Sequence, residues 1–290
     1  MKGLLIVNQF LNGDKYAGIN RMLQHAAKRL DVLLDVKKSG ELLRNIAFLE
    51  QLPYDFILFW DKDVLLAKML ETCGFPVFNR ADAIFHCDHK GYTSLILSRA
   101  HLRTPLTFSA PLTFEAFGYR PTDFTEGVIE QLGFPLVIKE AYGSFGQQVF
   151  LVRDREEMRR VLDGAGCKEL LFQEFIEHSA GRDVRINVVG DRVVSSMLRR
   201  SVNGDFRSNI SNGGTCQSYE ATPDQQAAAI AACRALGLDF AGVDVLFGED
   251  DEPIICEVNS NPHFKSSLDC TGVDMSPLII SHIKRKVRQG

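Results

Sequence analysis

The sequence predicts a mixed architecture, an open α/β lobe over residues 1–85 followed by two α+β lobes over 86–175 and 176–290, and two patterns carry that reading. Early in the chain, short apolar runs alternate with segments of helical periodicity, as in a parallel sheet joined by crossover helices. Later, apolar runs come in pairs around glycine-bearing turns, as antiparallel hairpins do.

Residues 3–7 (GLLIV) form a buried-strand run whose carboxyl end passes into polar Asn8 and Gln9, at a surface loop. Residues 19–30 place Met22, Leu23, Ala26, Ala27 and Leu30 at helical spacing, and 32–36 resumes a strand, completing a βαβ unit. FILFW (56–60) is another buried strand, 64–73 a helix and PVF (76–78) a short strand. Asp88 is placed to cap a helix carrying Tyr92, Leu95, Ile96 and Ala100, with Pro105 as its stop. A linker rich in Pro, Thr and Phe leads to a hairpin pairing 135–140 with 148–152, a charged helix over 154–162 and the apolar segment LLFQEFI (170–176). A second hairpin pairs 184–189 with 192–199 around Gly190-Asp191, an alanine-rich helix runs from Pro223 to Leu236, and a last hairpin occupies 242–259.

With 45% apolar and 24% charged residues in 290, the balance is that of a globular chain. A net charge of −4 gives no global attraction to nucleic acid or anionic lipid, so phosphate must be held by local basic groups. Seven scattered cysteines without a C-x-x-C pair suit neither a disulfide framework nor a zinc site and read as reduced, mostly buried thiols. The apolar run in MKGLLIVNQF is too short for a signal peptide or a membrane span. A cytoplasmic protein with no membrane or nucleic-acid partner is therefore expected.

The last hairpin collects oxygen ligands. GVDVLF (242–247) and PIICEV (253–258) flank a polar turn, and if Phe247 faces Ile254 then Asp244 lies opposite Glu257. Alternation puts Asn259 on the face of Glu257, and Val243, Val245, Phe247, Ile254, Cys256 and Val258 on the other. Facing carboxylates repel unless a cation sits between them, and magnesium takes such hard donors together with substrate phosphates. A solvated acidic hairpin is the plainer alternative.

Lys139 ends the strand PLVI, and the loop after it, with Gly143, Ser144 and Gly146, has few side chains to obstruct an approaching phosphate. It lacks the G-K-[ST] ending of a P-loop and opens no helix, which excludes the commonest phosphate fingerprints and leaves a hairpin loop with a solvated lysine as the alternative. Arg185, Arg199, Arg200, Arg207 and Lys265 fall within or after the sheet that carries the carboxylates. Arg199 and Arg200 are adjacent, so they take opposite faces of a strand and at most one of them enters a site from it. His86, His89, His178 and His263 are scattered and read as ordinary polar residues, with His263 a minor site candidate because it follows Asn259.

Taken in order, Lys90, Lys139, the glycine loop, QEFI (173–176), GRDVR (181–185), GDFRSN (204–209), GVDVLF and EVNSNP (257–262) resemble the ATP-grasp superfamily, and most closely its RimK-like glutamate ligases. The resemblance runs from about residue 80 onward and implies two α+β lobes enclosing ATP behind an N-terminal α/β lobe. It implies that Lys90, Lys139, Gly143, Ser144 and Gly146 bind phosphates, that Glu174, Phe175 and Ile176 meet adenine, and that Asp183 sits by the ribose. Arg207 and Arg185 would act on the transferring phosphoryl group, and Asp244, Glu257 and Asn259 would hold Mg²⁺ or Mn²⁺. Arg199, Arg200, Asn209 and Lys265 would contact the substrates, an amino acid and a carboxylate acceptor. Relatives of this kind assemble, so a homo-oligomer is implied by analogy. Two positions depart from the family pattern: Gln148 stands where another glycine is usual, and Asn212 where arginine is frequent.

The implied chemistry is amide formation through an acylphosphate, which needs no protein nucleophile. Two other readings share the motifs: a nucleotide-binding module without turnover, and a metal-dependent phosphohydrolase.

Overall fold

The computed structural model describes residues 1–143, 148–208 and 213–289. The chain begins with β1 (Lys2–Val7), α1 (Asp14–Arg29), β2 (Leu33–Lys38), α2 (Ile46–Leu49), β3 (Phe56–Trp60), α3 (Val64–Thr72) and β4 (Val77–Phe78). Their strands form a parallel sheet in the order β2-β1-β3-β4. Both faces are covered, which is why the strands read as unbroken apolar runs: Leu5 packs with Leu23 and Ala27 of α1, whereas Leu4 and Ile6 pack with Leu66 and Leu70 of α3. Asp63 starts α3 by accepting a hydrogen bond from the Leu66 amide.

Two helices, α4 (Ala81–Asp88) and α5 (Lys90–Arg99), lead out of this sheet. Here the sequence expectation is corrected. Asp88 closes α4, and α5 is capped by His89, whose Nδ1 accepts from the amides of Gly91 and Tyr92 at 3.1 and 3.2 Å. An imidazole is an uncommon cap, and a neighbouring carboxylate outranks it in any pattern search.

The middle of the chain supplies β5 (Thr107–Ser109), α6 (Thr125–Leu132), β6 (Leu136–Glu140), β7 (Val149–Val152), α7 (Arg155–Ala165) and β8 (Leu170–Glu174). They make an antiparallel sheet ordered β5-β8-β6-β7, with Val128 of α6 and Met158 and Leu162 of α7 packed against Leu136, Ile138 and Phe172. β5 lay hidden in the Pro/Thr/Phe-rich linker, because three residues are too few to show a period.

The last part contains β9 (Arg182–Val189), β10 (Arg192–Arg200), β11 (Thr215–Ser218), α8 (Pro223–Leu236), β12 (Phe240–Phe247), β13 (Pro253–Asn259), α9 (Lys265–Thr271) and α10 (Ser276–Gln289). Its sheet runs β11-β10-β9-β12-β13, all antiparallel. Helix α8 covers one face; Thr222 and Gln225 form a capping box at its start and Gly237, at φ 72°, ends it in the left-handed region. The other face is left to a cavity.

The register of β12 and β13 departs from expectation halfway along. Asp244 pairs with Glu257 and Gly242 with Asn259 as the alternation requires, but a bulge follows, so that Val245 pairs with Ile255 and Phe247 with Pro253 rather than Ile254. Ile255 therefore joins Val243, Val245, Phe247 and Val258 in the core, and Cys256 turns to the cavity face. All seven cysteines are unpaired thiols, but only Cys87 and Cys233 are buried, fewer than the sequence suggested. No helix among the described residues is long and apolar enough to cross a membrane.

The first and last sheets share a core. Ile279, Ile280 and Ile283 of α10 pack on Leu23 and Ala27 of α1, and Phe240 stacks on Trp60 at 5.3 Å. Asn79, fully buried after β4, donates to the carbonyls of Phe240 and Ser260 at 2.9 and 2.8 Å and accepts from the Asp239 amide at 2.7 Å. Replacing Asn79 with Ala strands those backbone groups without partners, and should cost about 2–4 kcal/mol, read as a lower midpoint of urea unfolding. A loss under about 1 kcal/mol would show that this side chain does not hold the two sheets together.

Candidate functional site

A cavity of about 750 Å³ opens where the carboxyl ends of β1 and β3, the strands β6 and β8 and the uncovered face of the last sheet converge. It receives one face of each strand, because side chains alternate. Asp183 and Arg185 come from β9, Arg199 from β10, Asp244 from β12, and Glu257 and Asn259 from β13.

Charge is laid out across the sheet in facing pairs. Arg185 lies opposite Asp244 on the neighbouring strand, and Arg199 opposite Asp183. Arg185 Nη2 donates to Asp244 Oδ2 at 2.8 Å while its Nε holds Oδ1; Arg199 Nη2 reaches Asp244 Oδ1 at 3.0 Å, and its Nε donates to Asp183 Oδ1 at 2.7 Å. Burial raises the pKa of Asp244, but the Arg185 and Arg199 guanidiniums outweigh it and hold the carboxyl below its ordinary value. Arg199, 5% exposed, stays protonated for the reciprocal reason: desolvation acts against its charge, and Asp183 and Asp244 overcome it.

This arrangement corrects two expectations. A divalent ion is not needed to relieve repulsion between Asp244 and Glu257, since two guanidiniums already balance Asp244. Glu257 is the anion left without an ion pair among the described residues. Arg200, expected at the substrates with Arg199, is exposed and does not line the cavity; Arg199 is the member of the pair that enters it.

Asn259 follows Glu257 on the same face, and its Nδ2 is buried without a partner. A half-turn of its amide exchanges Nδ2 with Oδ1, so Asp244, Glu257 and Asn259 present oxygens that suit a hard divalent cation.

Lys90, the first residue of α5, donates from Nζ to the Gly143 carbonyl at 2.8 Å. Burial lowers its pKa and nearby Lys139 adds to the effect, against the pull of Glu257. Lys139, 5% exposed, lines the same wall. Gly143 has φ 150°, and a Cβ there would meet Gln148 Oε1 at 2.6 Å, so the side chain of Gln148 occupies space that a glycine at 148 would leave open. Ser144, Gly146, Asn209 and Asn212 lie outside the described residues.

Glu174 ends β8 with its amide donating to the Leu106 carbonyl and its carboxylate accepting from the Leu106 amide, at 2.8 and 2.9 Å. Phe175 and Ile176 follow and, with Val137, Val149 and Leu246, supply apolar lining of the cavity. Arg207 is held by Asp205, Nη2 to Oδ2 at 2.7 Å, and lies over the Phe206 ring at 5.5 Å. Lys265 opens α9 and pairs with Asp269 at 2.8 Å. Burial pushes the Cys256 thiol up to about 11, so it remains protonated at neutral pH and is no nucleophile. His263 lines the cavity with its ring edge-on to Tyr16 at 6.1 Å.

Sequence reasoning missed the first lobe's contribution: Asn8, Tyr16, Trp60 and Asp61, joined by Asn261 from the last lobe. The signal was available, since open parallel sheets bind ligands outside the carboxyl ends of their strands. Asn8 and Asp61 directly follow β1 and β3.

Residues 115–283 match the model of the RimK-like ATP-grasp domain. The chain belongs to the RimK-like ATP-grasp family. A relative described as a probable alpha-L-glutamate ligase 1, from Hahella chejuensis, is 34% identical over 235 residues, 80% of this chain and 74% of that one. An uncharacterized relative, the MG012 homolog of Mycoplasma pneumoniae, is 32% identical over 251 residues, 85% of this chain and 86% of its own. The ATP-grasp fold extends over the whole molecule: a RimK domain ATP-grasp protein from Sphaerobacter thermophilus superposes with a TM-score of 0.75 at 22% identity, covering 96% of this chain and 98% of that one.

In this RimK-like site Arg199 is the cation shared by two buried carboxylates. Replacing Arg199 with Leu leaves Asp183 without its ion pair and Asp244 with one guanidinium, and should destabilise the protein by about 3–5 kcal/mol in urea unfolding. A loss below about 1 kcal/mol would mean that the carboxylates do not depend on it.

Proposed function

We propose that the chain is an ATP-dependent carboxylate–amine ligase that joins an amino acid, glutamate being the one its relatives' name suggests, to a carboxylate acceptor. One observation carries the reading: the wall of paired arginines and aspartates, with the unpaired Glu257 beside them, shares with two lysines a cavity that also has an apolar stretch of lining. The apolar lining suits a nucleoside ring, and Lys139, which faces Val149 on the neighbouring strand, suits the phosphates that follow it.

The acceptor carboxylate attacks the terminal phosphoryl group of ATP, giving an acylphosphate and ADP; an amine then displaces phosphate, losing a proton and forming the amide. Lys90, Lys139 and Gly143, with Ser144 and Gly146, would hold phosphate oxygens. Glu174, Phe175 and Ile176 would take the adenine through the apolar lining and its backbone edge. Asp183 would meet the ribose with lone pairs left over from its ion pair to Arg199. Arg185 and Arg207 would neutralise charge developing on the transferring group. Arg199 and Lys265, together with Asn209, would orient substrate carboxylates. Asp244, Glu257 and Asn259 would hold a divalent cation, magnesium or manganese, which when bound shields the phosphate oxygens from the nucleophile's charge. The buried walls exclude water that would otherwise hydrolyse the acylphosphate.

Phosphate release from Mg-ATP, measured across amino acids paired with acceptor carboxylates and followed by mass spectrometry, tests this directly. The ligase reading requires release that depends on both substrates and a product heavier by one amide-linked residue. Hydrolysis that ignores the acceptor, or nucleotide binding without turnover, would overturn it.

Changing Glu257 to Gln removes the one of the wall's proposed acidic metal ligands that has no ion pair among the described residues, so turnover should fall by about 10²–10³-fold. The unfolding free energy should stay within about 0.5 kcal/mol, because no ion pair is lost. Full activity in that variant would exclude the metal role.

A lysine whose pKa is lowered loses its charge at lower pH than an ordinary one. Affinity for ADP should therefore decline as pH rises through a point below 10.5, and Lys90→Gln should abolish that limb of the profile. An unchanged profile in the variant would remove Lys90 from the phosphate site.

A further inference from the structure

In the first-lobe part of the cavity a second carboxylate, besides Glu257, has no ion pair among the described residues. Asp61, directly after β3, lines the cavity and is 4% exposed. Its Oδ1 accepts from Asn8 Nδ2 at 2.8 Å and from the Lys62 amide at 2.7 Å, but its Oδ2 is shielded from solvent and receives no hydrogen bond. Among the described residues no Lys, Arg or His forms an ion pair with it; the neighbouring Lys62 ammonium is directed to Asp88. A buried carboxylate in this condition is destabilising unless something outside the chain supplies a positive charge and a donor.

A second unmet group lies beside it. Asn261 donates from Nδ2 to the Asp61 carbonyl at 2.8 Å, which fixes the orientation of its amide, and its Oδ1 is then buried without a partner. Both unmet groups are acceptors. A carboxylate or phosphate ligand would be repelled here, and a neutral hydroxyl would leave the charge of Asp61 unbalanced. A primary ammonium answers both, with a full positive charge and three N–H donors on one small group.

We infer that Asp61 and Asn261 form the recognition site for the free ammonium of the amino-acid substrate, placing that substrate between the ends of β1 and β3 and the segment after β13. Tyr16 and Trp60 line the same part of the cavity and offer apolar surface to the carbon skeleton, while Lys265 lines it too, for a carboxylate. The pairing of an anionic and a cationic anchor selects a zwitterion. The inference rests on the ligase reading for the identity of the ligand, but the binding site itself is independent of turnover.

The Asp61→Asn variant separates structure from function. Its amide keeps the Oδ1 acceptor for Asn8 and Lys62, and puts a neutral NH2 where the unmet anionic oxygen was. Relief of an uncompensated charge should raise the thermal midpoint of the ligand-free protein by about 2 °C or more. Calorimetric titration of the common amino acids, each against its N-acetyl derivative and with or without Mg-ADP, should show at least one that binds only with its ammonium free. That binding should weaken at least tenfold in Asp61→Asn, with Mg-ADP affinity unchanged within about twofold. The site is overturned if the wild-type protein never distinguishes an amino acid from its N-acetyl form, if the variant binds the amino acid undiminished, or if its midpoint falls. Binding that depends on Asp61 in a protein that makes no amide would sink the ligase reading alone; amide formation with binding indifferent to Asp61 would sink this site alone.

Discussion

The active face of the molecule depends on one constraint: charges removed from water must be answered by charges of opposite sign at hydrogen-bonding distance. The last sheet meets it by geometry. Because β9 is flanked by β10 and β12, its residues Asp183 and Arg185 each face a partner of opposite sign, Arg199 and Asp244, and Arg199 ties the two pairs into one cluster. The cluster stiffens the strands that present the cavity's contacts, and it keeps Asp244 ionised although the residue is only 5% exposed.

Against that balanced background, the unbalanced groups mark where ligands belong. Glu257 stands beside Asp244 without an ion pair, and Asp61 stands without one after β3, joined through Asn261 to the segment that follows β13. Two anions in need of cations in one cavity are what a reaction with a metal-bound nucleotide and an amine would require. Structural ion pairs perturb pKa values just as functional ones do, so the informative quantity is the residual demand after all protein partners are assigned.

Much of this was legible in the sequence because strand parity is a rigid rule. An assumed register, Phe247 facing Ile254, brought Asp244 opposite Glu257, and alternation placed Asn259 on the same face; the first pairing is displaced by one residue but the bulge restores the second. It failed beyond that point because a bulge adds a residue to one strand only, and no sequence signal marked Cys256 as the place. The partnership of Arg185 with Asp244 was equally out of reach, since it depends on which strands become neighbours, and β9 meets β12 across the intervening β10, β11 and α8. His89 was passed over because a cap is read from residue type, and the three-residue β5 because it has no period. The first lobe's share of the cavity was hidden for a different reason: Asn8 and Asp61 are single polar residues after apolar runs, with no partner in the sequence to form a motif.

How the cores are shared bears on how such a site can open. The first sheet and the last are packed into one another through α10, Phe240 and Phe264, and are fastened by Asn79, while α4 and α5 contribute Ala83, Cys87 and Leu97 to the core beneath the last sheet. The middle sheet is different: its core consists of residues between Phe108 and Phe172 and takes no buried side chain from either neighbour. Bodies that share a core move together, and a body with its own core moves on its connections. The face carrying Asp244, Glu257 and Asn259 and the proposed ammonium site therefore rest on one shared core, and Lys139 with Val137 and Val149 on the sheet that has its own. A closure of the second over the first would bring the groups proposed for phosphate and for substrate together without disturbing either set internally, and Lys90, on α5 yet bonded to the Gly143 carbonyl, links the two.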